Sequence, residues 1–374
     1  MRAFASAIVL VAAVASADVT PDRQALEVVN RYRAAAGLSA VQLDGTLSKG
    51  CMEHAEYMRL NHGTDAMAGL NAHTQRPDLP GASKAGAACA KAADLFPGVS
   101  SLGTAVDGWM AGIYHRRPIL DPTLQRLGVG YASLPNGSLT AALMFDLTRR
   151  DPKGNWPVAY PADRQTGVPL EYGAEIPNPI PGGGHGGYPV TLQFPPFDKL
   201  QKVTATLTAN GKAVPFYFSD PQHPATSFPQ SGIVSLIAKQ PLAPSTTYTV
   251  KIDATWQGKR KTWTWSFTTI GLRSLDANDI AALTAAIGVP SRVRGTITHG
   301  GMIDTATVFL ALADAQGKLV SIVMPLATWK QLAKGAKPQS LKGRAVEVEA
   351  TPQLVGTKFI NLPIGSPRQL KLAH

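Results

Sequence analysis

The sequence predicts an α+β domain, then an all-β sandwich, then a small β-barrel with a helix. Three observations carry that expectation. Apolar residues recur at helical spacing in the first part of the chain and give way to strands. A stretch rich in proline and glycine interrupts the pattern. Short alternating strands with turn dipeptides fill the rest. The chain has 374 residues, enough for two to three domains. It is 44% hydrophobic and 16% charged, so wholesale disorder is excluded. Its glycines follow no strict period, so a collagen-like repeat is excluded too.

The N-terminus reads MRAFASAIVLVAAVASA over residues 1–17. One arginine, an apolar run and Ala15-Ser16-Ala17 make a secretory signal, cut before Asp18. The alternative, a membrane anchor, needs a longer apolar run to cross hydrocarbon about 30 Å thick. No later stretch is long enough, so no transmembrane helix is expected. Export exposes the two cysteines, Cys51 and Cys89, to oxidising conditions, and one pair allows one intramolecular disulfide.

Residues 18–160 form the first domain. Ala25, Leu26, Val28, Val29 and Tyr32 lie on one helical face, and Gly37 ends the helix. Leu47, Cys51, His54, Ala55 and Met58 mark a second helix. A third carries Val106, Trp109, Met110 and Ile113 and stops before Pro118. Strands follow from Leu127 and from Leu139. Residues 161–187 read as a linker, because Pro181-Gly-Gly-Gly-His185-Gly-Gly fits neither a helix nor a central strand.

Residues 188–270 form the second domain. Val203–Leu207, Tyr248–Trp256 and Trp263–Phe267 alternate as strands, with turns at Asn210-Gly211 and Gln257-Gly258. The phrase Leu242-Ala-Pro-Ser-Thr-Thr-Tyr248, ending in Trp265-Ser-Phe-Thr-Thr269, resembles bacterial Ig-like domains. Residues 271–374 hold a helix at 276–287 and five strands, with a second helix at 327–333 between the third and fourth. That layout resembles an OB-fold barrel. This last part also carries 12 basic and 6 acidic residues of a chain whose net charge is +11. Nucleic-acid binding is not expected, because Phe309 and Phe359 fit a barrel core rather than an exposed stacking face.

The first domain resembles the CAP superfamily (cysteine-rich secretory proteins, antigen 5 and pathogenesis-related proteins) in its bacterial form. The carrying residues are Leu26-x3-Asn30-x2-Arg33-x3-Gly37-Leu38, Leu43-Asp44-x2-Leu47, Asn71-Ala-His73-Thr, Gly108-Trp109-Met110, His115-Arg116-x2-Ile119-Leu120 and Gly128-Val-Gly130-Tyr131. The resemblance implies a three-layer α-β-α sandwich with an open cleft. Many members line that cleft with two histidines and two glutamates, a set that suits Zn²⁺ or a similar cation. Here His73 and His115 match the histidines, and beside them Arg116 and Arg117 are candidates for holding an anionic group at the cleft mouth. The glutamates do not match: the stretches at 85–89 and 103–105 carry no carboxylate. Asp107 points away from the Trp109 face by helical geometry.

Other candidates have bland explanations. His54 sits on a core face, His185 is linker filler, and Trp256, Trp263 and Trp265 suit cross-strand packing. No HExxH, GxSxG or Walker phrase is present. The sequence thus points to non-catalytic binding of an extracytoplasmic apolar or polymeric ligand, a lipid or a cell-wall polymer, in the cleft. A structural adhesin and a divalent-cation-dependent hydrolase are the alternatives.

Overall fold

A computed structural model describes residues 20–147, 154–333 and 335–372. The proposed signal at 1–17 lies outside the described residues. The first module contains α1 (Pro21–Ala35), β1 (Gln42–Leu43), α2 (Gly45–Leu60), α3 (Lys84–Ala92), β2 (Ala93–Val99), α4 (Leu102–Met110), α5 (Arg116–Ile119), β3 (Arg126–Ser133) and β4 (Leu139–Phe145). Its sheet has the order β1-β3-β4-β2, with β1 parallel to β3 and the other pairs antiparallel.

Alternation along the strands builds three layers. Ala141 and Leu143 face one way, into a core shared with Val28 and Val29 of α1 and Val106 and Trp109 of α4. Ala142 and Met144 face the other way, against Cys51, Ala55 and Met58 of α2 and Cys89 of α3. Two glycines let α2 lie directly on β3. A Cβ at Gly130 would sit 2.0 Å from the Cys51 backbone, and one at Gly128 would sit 2.4 Å from Leu47. Cys51 and Cys89 form the expected disulfide, tying α2 to α3 across a sequence separation of 38.

Motif residues clamp this frame. Asp44 caps α2 by accepting from the Thr46 and Leu47 amides, while Arg126 bridges Asp44 and Asp146. Asn30 exchanges two hydrogen bonds with the Val41 backbone. Arg33 is fully buried, yet its guanidinium donates to the carbonyls of Ser39, Ile119, Asp121 and Leu124. Burial pulls its pKa down to about 10.

The second module is a pair of sheets. One holds β5 (Val158–Tyr160), β7 (Val190–Gln193), β10 (Phe216–Ser219) and β11 (Ile233–Ala238). The other holds β6 (Gln165–Val168), β8 (Leu200–Ala209), β9 (Lys212–Ala213), β12 (Thr247–Trp256) and β13 (Lys259–Thr269). β6 falls inside the stretch read as a linker: it pairs with the edge of β13, where only one side of the strand needs partners. Trp256 and Trp265 are buried between the sheets, and Phe194 meets Trp256 and Trp263 edge-on. One continuous apolar core runs from Val29 of the first module to Phe267 of the second.

The third module has its own core. It comprises β14 (Arg273–Asp276), α6 (Ile280–Ala285), β15 (Ser291–Thr296), β16 (His299–Met302), β17 (Thr307–Ala315), β18 (Lys318–Pro325), α7 (Leu326–Ala333), β19 (Ala345–Ala350), β20 (Gln353–Val355), β21 (Phe359–Pro363) and β22 (Leu370–Leu372). The expected barrel is not closed. The described strands form two open sheets, β14-β15-β19-β22 and β16-β17-β18-β21-β20, packed on one core. Phe359 stands 46% exposed rather than inside, because its neighbour Ile360 takes the inward side of β21. No described helix is long and apolar enough to cross a membrane.

Candidate functional site

His73 and His115 reach one cleft from different elements. His73 ends a 3-10 turn, Gly69–His73, and His115 immediately precedes α5. The His73 Nδ1–H donates to the Ala90 carbonyl at 2.9 Å, which leaves its Nε2 as an acceptor. His115 is fixed in the same tautomer, but by a carboxylate: Nδ1 lies 2.9 Å from Glu175 Oε2. Both residues line each of two adjoining lobes of the cleft. One lobe, about 490 Å³, is lined by Leu70, Asp94, Tyr114, Ile176 and Phe228. The other, about 230 Å³, is lined by Met67, Phe96, Pro97 and Trp109.

Two carboxylates serve this cleft that sequence reasoning did not place there. Asp94 lies in β2. It is 8% exposed, and its Oδ2 has no hydrogen-bond partner. Burial, with Glu175 nearby, pushes its pKa up to about 8, against the pull of His115. Residues 85–89, which carry no carboxylate, lie in α3; the strand that borders the cleft starts at Ala93. Glu175 comes from the stretch read as a linker. Its carboxylate also accepts from the backbone amides of Ile113, Tyr114 and His115, and its own amide donates to the Tyr172 hydroxyl. Gly112 makes room for it, since a Cβ there would stand 2.3 Å from Glu175 Oε2.

The electrostatics of the two histidines diverge. Burial lowers the His73 pKa, and the charge of His115 lowers it further. Burial also works against charge on His115, but the Glu175 bond and the Asp94 charge outweigh it, so its pKa is raised. His54 is buried behind the cleft, accepts from Gln75 and stacks on Tyr57; burial takes it down to about 4.

Arg116 is a correction. It does not line the cleft but is fully buried on its far side. Its guanidinium donates to the carbonyls of Met110 and Pro189 and lies over the rings of Tyr160, at 5.2 Å, and Tyr188, at 4.8 Å. The side chain leaves α5 toward the second module, where the Pro189 carbonyl and the faces of Tyr160 and Tyr188 meet it. Arg117 is the arginine that borders the cleft. Asp107 points away as expected, accepting from Tyr32 and Arg31 on the outer face of α4.

The donor set does not fit a resident cation. Among the described residues no three His, Cys, Asp or Glu side chains converge closely enough to hold a metal ion. With Nδ1 bonded to the Ala90 carbonyl and to Glu175, His73 and His115 each keep Nε2, but two imidazoles alone do not complete a ligand set.

Residues 26–145 match the model of the cysteine-rich secretory protein family, CAP. No curated protein matches the chain. Solved structures align only in part. A chain of the S. pombe Stn1–Ten1 complex shares 12% identity at a TM-score of 0.18, over 23% of this chain and 58% of that one. An asparaginyl-tRNA synthetase of Entamoeba histolytica shares 15% at 0.19, over 26% of this chain and 23% of its own. Scores this low carry nothing about fold or function.

Proposed function

Residues 26–145 are a CAP domain, and from that premise we propose that the protein is exported and binds an extracytoplasmic ligand in the CAP cleft without transforming it. The ligand is a small apolar molecule or a stretch of polymer. One observation carries the reading: the cleft walls are apolar and partly exposed at Leu70, Ile176 and Phe228, while its floor holds a buried carboxyl with an unpartnered oxygen. Such a combination of apolar wall and few convergent polar groups is the usual make-up of a ligand site. The signal-like N-terminus and the disulfide support export. The second module we read as Ig-like and the third as OB-like in the order of its strands and helix, both presenting the first.

A fluorescence titration with cis-parinaric acid tests the cleft. Saturable binding that is lost in Leu70→Glu supports the reading. Binding indifferent to that change, or no binding of this probe and of wall polymers alike, overturns it.

One observation favours a second reading, a hydrolase. His115 is oriented by Glu175 as a general base is oriented by its carboxylate partner. Turnover of ester substrates by the full chain, lost in His115→Ala, would establish it. No described serine, threonine or cysteine is hydrogen-bonded to His115, so the attacking group would have to be water.

A further inference from the structure

The cleft does not end at the first module. Phe228 lines its larger lobe and also lines a groove of about 470 Å³ on the second module. Pro196 and Phe197 are consecutive, and one borders the cleft while the other borders the groove. The two spaces are therefore adjoining parts of one surface path. Phe228 is fixed at their junction: its ring meets Tyr114 edge-on at 5.3 Å, and its amide donates to the Thr226 hydroxyl, which in turn pairs with the Tyr114 hydroxyl at 2.9 Å.

Phe197 is the unusual residue of this path. It is 81% exposed and adopts φ +73°. A bulky side chain in the left-handed region costs about 1–2 kcal/mol, and burial does not offset that cost here. Its amide donates to the Ser231 hydroxyl at 3.2 Å, and the residue lines the groove. Gln201, Gln222 and Ser227 line the same groove and are exposed, with no side-chain hydrogen bond among the described residues. Asp198 and Lys199 balance each other's charge, so the groove as a whole is neutral.

We propose that this groove is a binding site for a neutral pyranose polysaccharide, whose strand continues from Phe197 past Phe228 into the cleft. The chemistry of each part matches. The C–H faces of pyranose rings carry partial positive charge and suit the negative faces of exposed aromatic rings. Their hydroxyls both donate and accept, as do carboxamides and hydroxyls. An anionic polymer would need a net positive wall, and an acyl chain would need a buried one. The inference rests on the proposed binding role of the cleft and extends it to a substrate class.

Isothermal titration of the full chain with cellohexaose and chitohexaose tests it. A hexasaccharide of one of the two types should bind, the matching disaccharide at least about tenfold more weakly. Phe197→Gly and Phe228→Ala should each weaken the hexasaccharide about tenfold. Glycine accepts the positive φ, so Phe197→Gly should melt no lower than the parent, which separates lost binding from lost folding. Hexasaccharide binding that ignores both phenylalanines but fails in Leu70→Glu overturns the groove and leaves the cleft reading standing. The same holds if only cis-parinaric acid binds. Binding of decaproline in place of either sugar overturns the polysaccharide in favour of a peptide. If neither sugar nor fatty acid binds, both readings fall.

Discussion

Glu175 reaches back across 60 residues to hold the Nδ1 of His115 at 2.9 Å. The carboxylate belongs to the approach to the second module and the imidazole to the CAP domain, so the cleft is built by both. Because the Glu175 bond raises the His115 pKa, removing its charge must lower it. In Glu175→Gln, an NMR titration should show His115 giving up its proton at lower pH than in the parent.

The sign of the stability effect follows. A histidine whose folded pKa is raised contributes stability below its unfolded pKa of about 6.5, and that contribution is lost as pH rises through the folded value. The melting gap between the parent and Glu175→Gln should therefore be wider at pH 5 than at pH 9. At low pH it should reach about 1.5–3 kcal/mol, the range for hydrogen bonds to a charged group. A gap that widens with pH would contradict the pairing.

Asp94 makes the opposite prediction. Its folded pKa is pushed to about 8, whereas an unfolded aspartate ionises near 3.9. Over that window the unfolded chain sheds a proton that the folded chain keeps, so the folded state loses ground as pH rises from about 4 to 8. Asp94→Asn should be stabilising relative to the parent, little at pH 4 and by more than about 1 kcal/mol at pH 8. Thermal melts at those two pH values decide it; an equal or reversed difference would mean that Asp94 is already ionised.

The disulfide should matter through the unfolded chain. Closing a loop with a separation of 38 residues contributes about 4 kcal/mol in the chain-entropy model. Cys51→Ala/Cys89→Ala should lose stability of that order, and reducing agent should bring the parent down to the level of the double variant. The cleft itself should keep its shape, because His73 and His115 are held by other contacts.

Local patterns announced much of this architecture. Apolar period 3.6 located α1, α2 and α4, and Gln257-Gly258 located the turn between β12 and β13, where both residues take positive φ. β2 was hidden because Ala93–Val99 contains Pro97 and Gly98, tolerable only because the strand sits at a sheet edge and slips register there. β11 was hidden for another reason: Ile233–Ala238 is buried along its whole length, so it shows no alternation. The histidines were legible because they sit in short local phrases. Glu175 was not, because its role depends on a contact between modules that no spacing encodes. Arg116 was placed in the cleft by its neighbour His115, but adjacent residues at a helix start point in different directions.

Arg116 leads to the last prediction. It joins the two modules by donating to Met110 on one side and Pro189 on the other, with the aromatic faces of Tyr160 and Tyr188 against its plane. Lysine keeps the charge but offers a single ammonium in place of the planar fork, and it cannot stack. Arg116→Lys should therefore fail to rescue Arg116→Met. Both should lose about 2–3 kcal/mol, because the Pro189 carbonyl is left without its side-chain donor and the Met110 carbonyl keeps only the Tyr188 hydroxyl. Since the same contacts hold α5 against the second module, the loss should also loosen His115 from Glu175. Chemical denaturation supplies the energy, and the His115 titration supplies the coupling. A full rescue by lysine would show that charge alone, and not the geometry of the fork, holds the modules together.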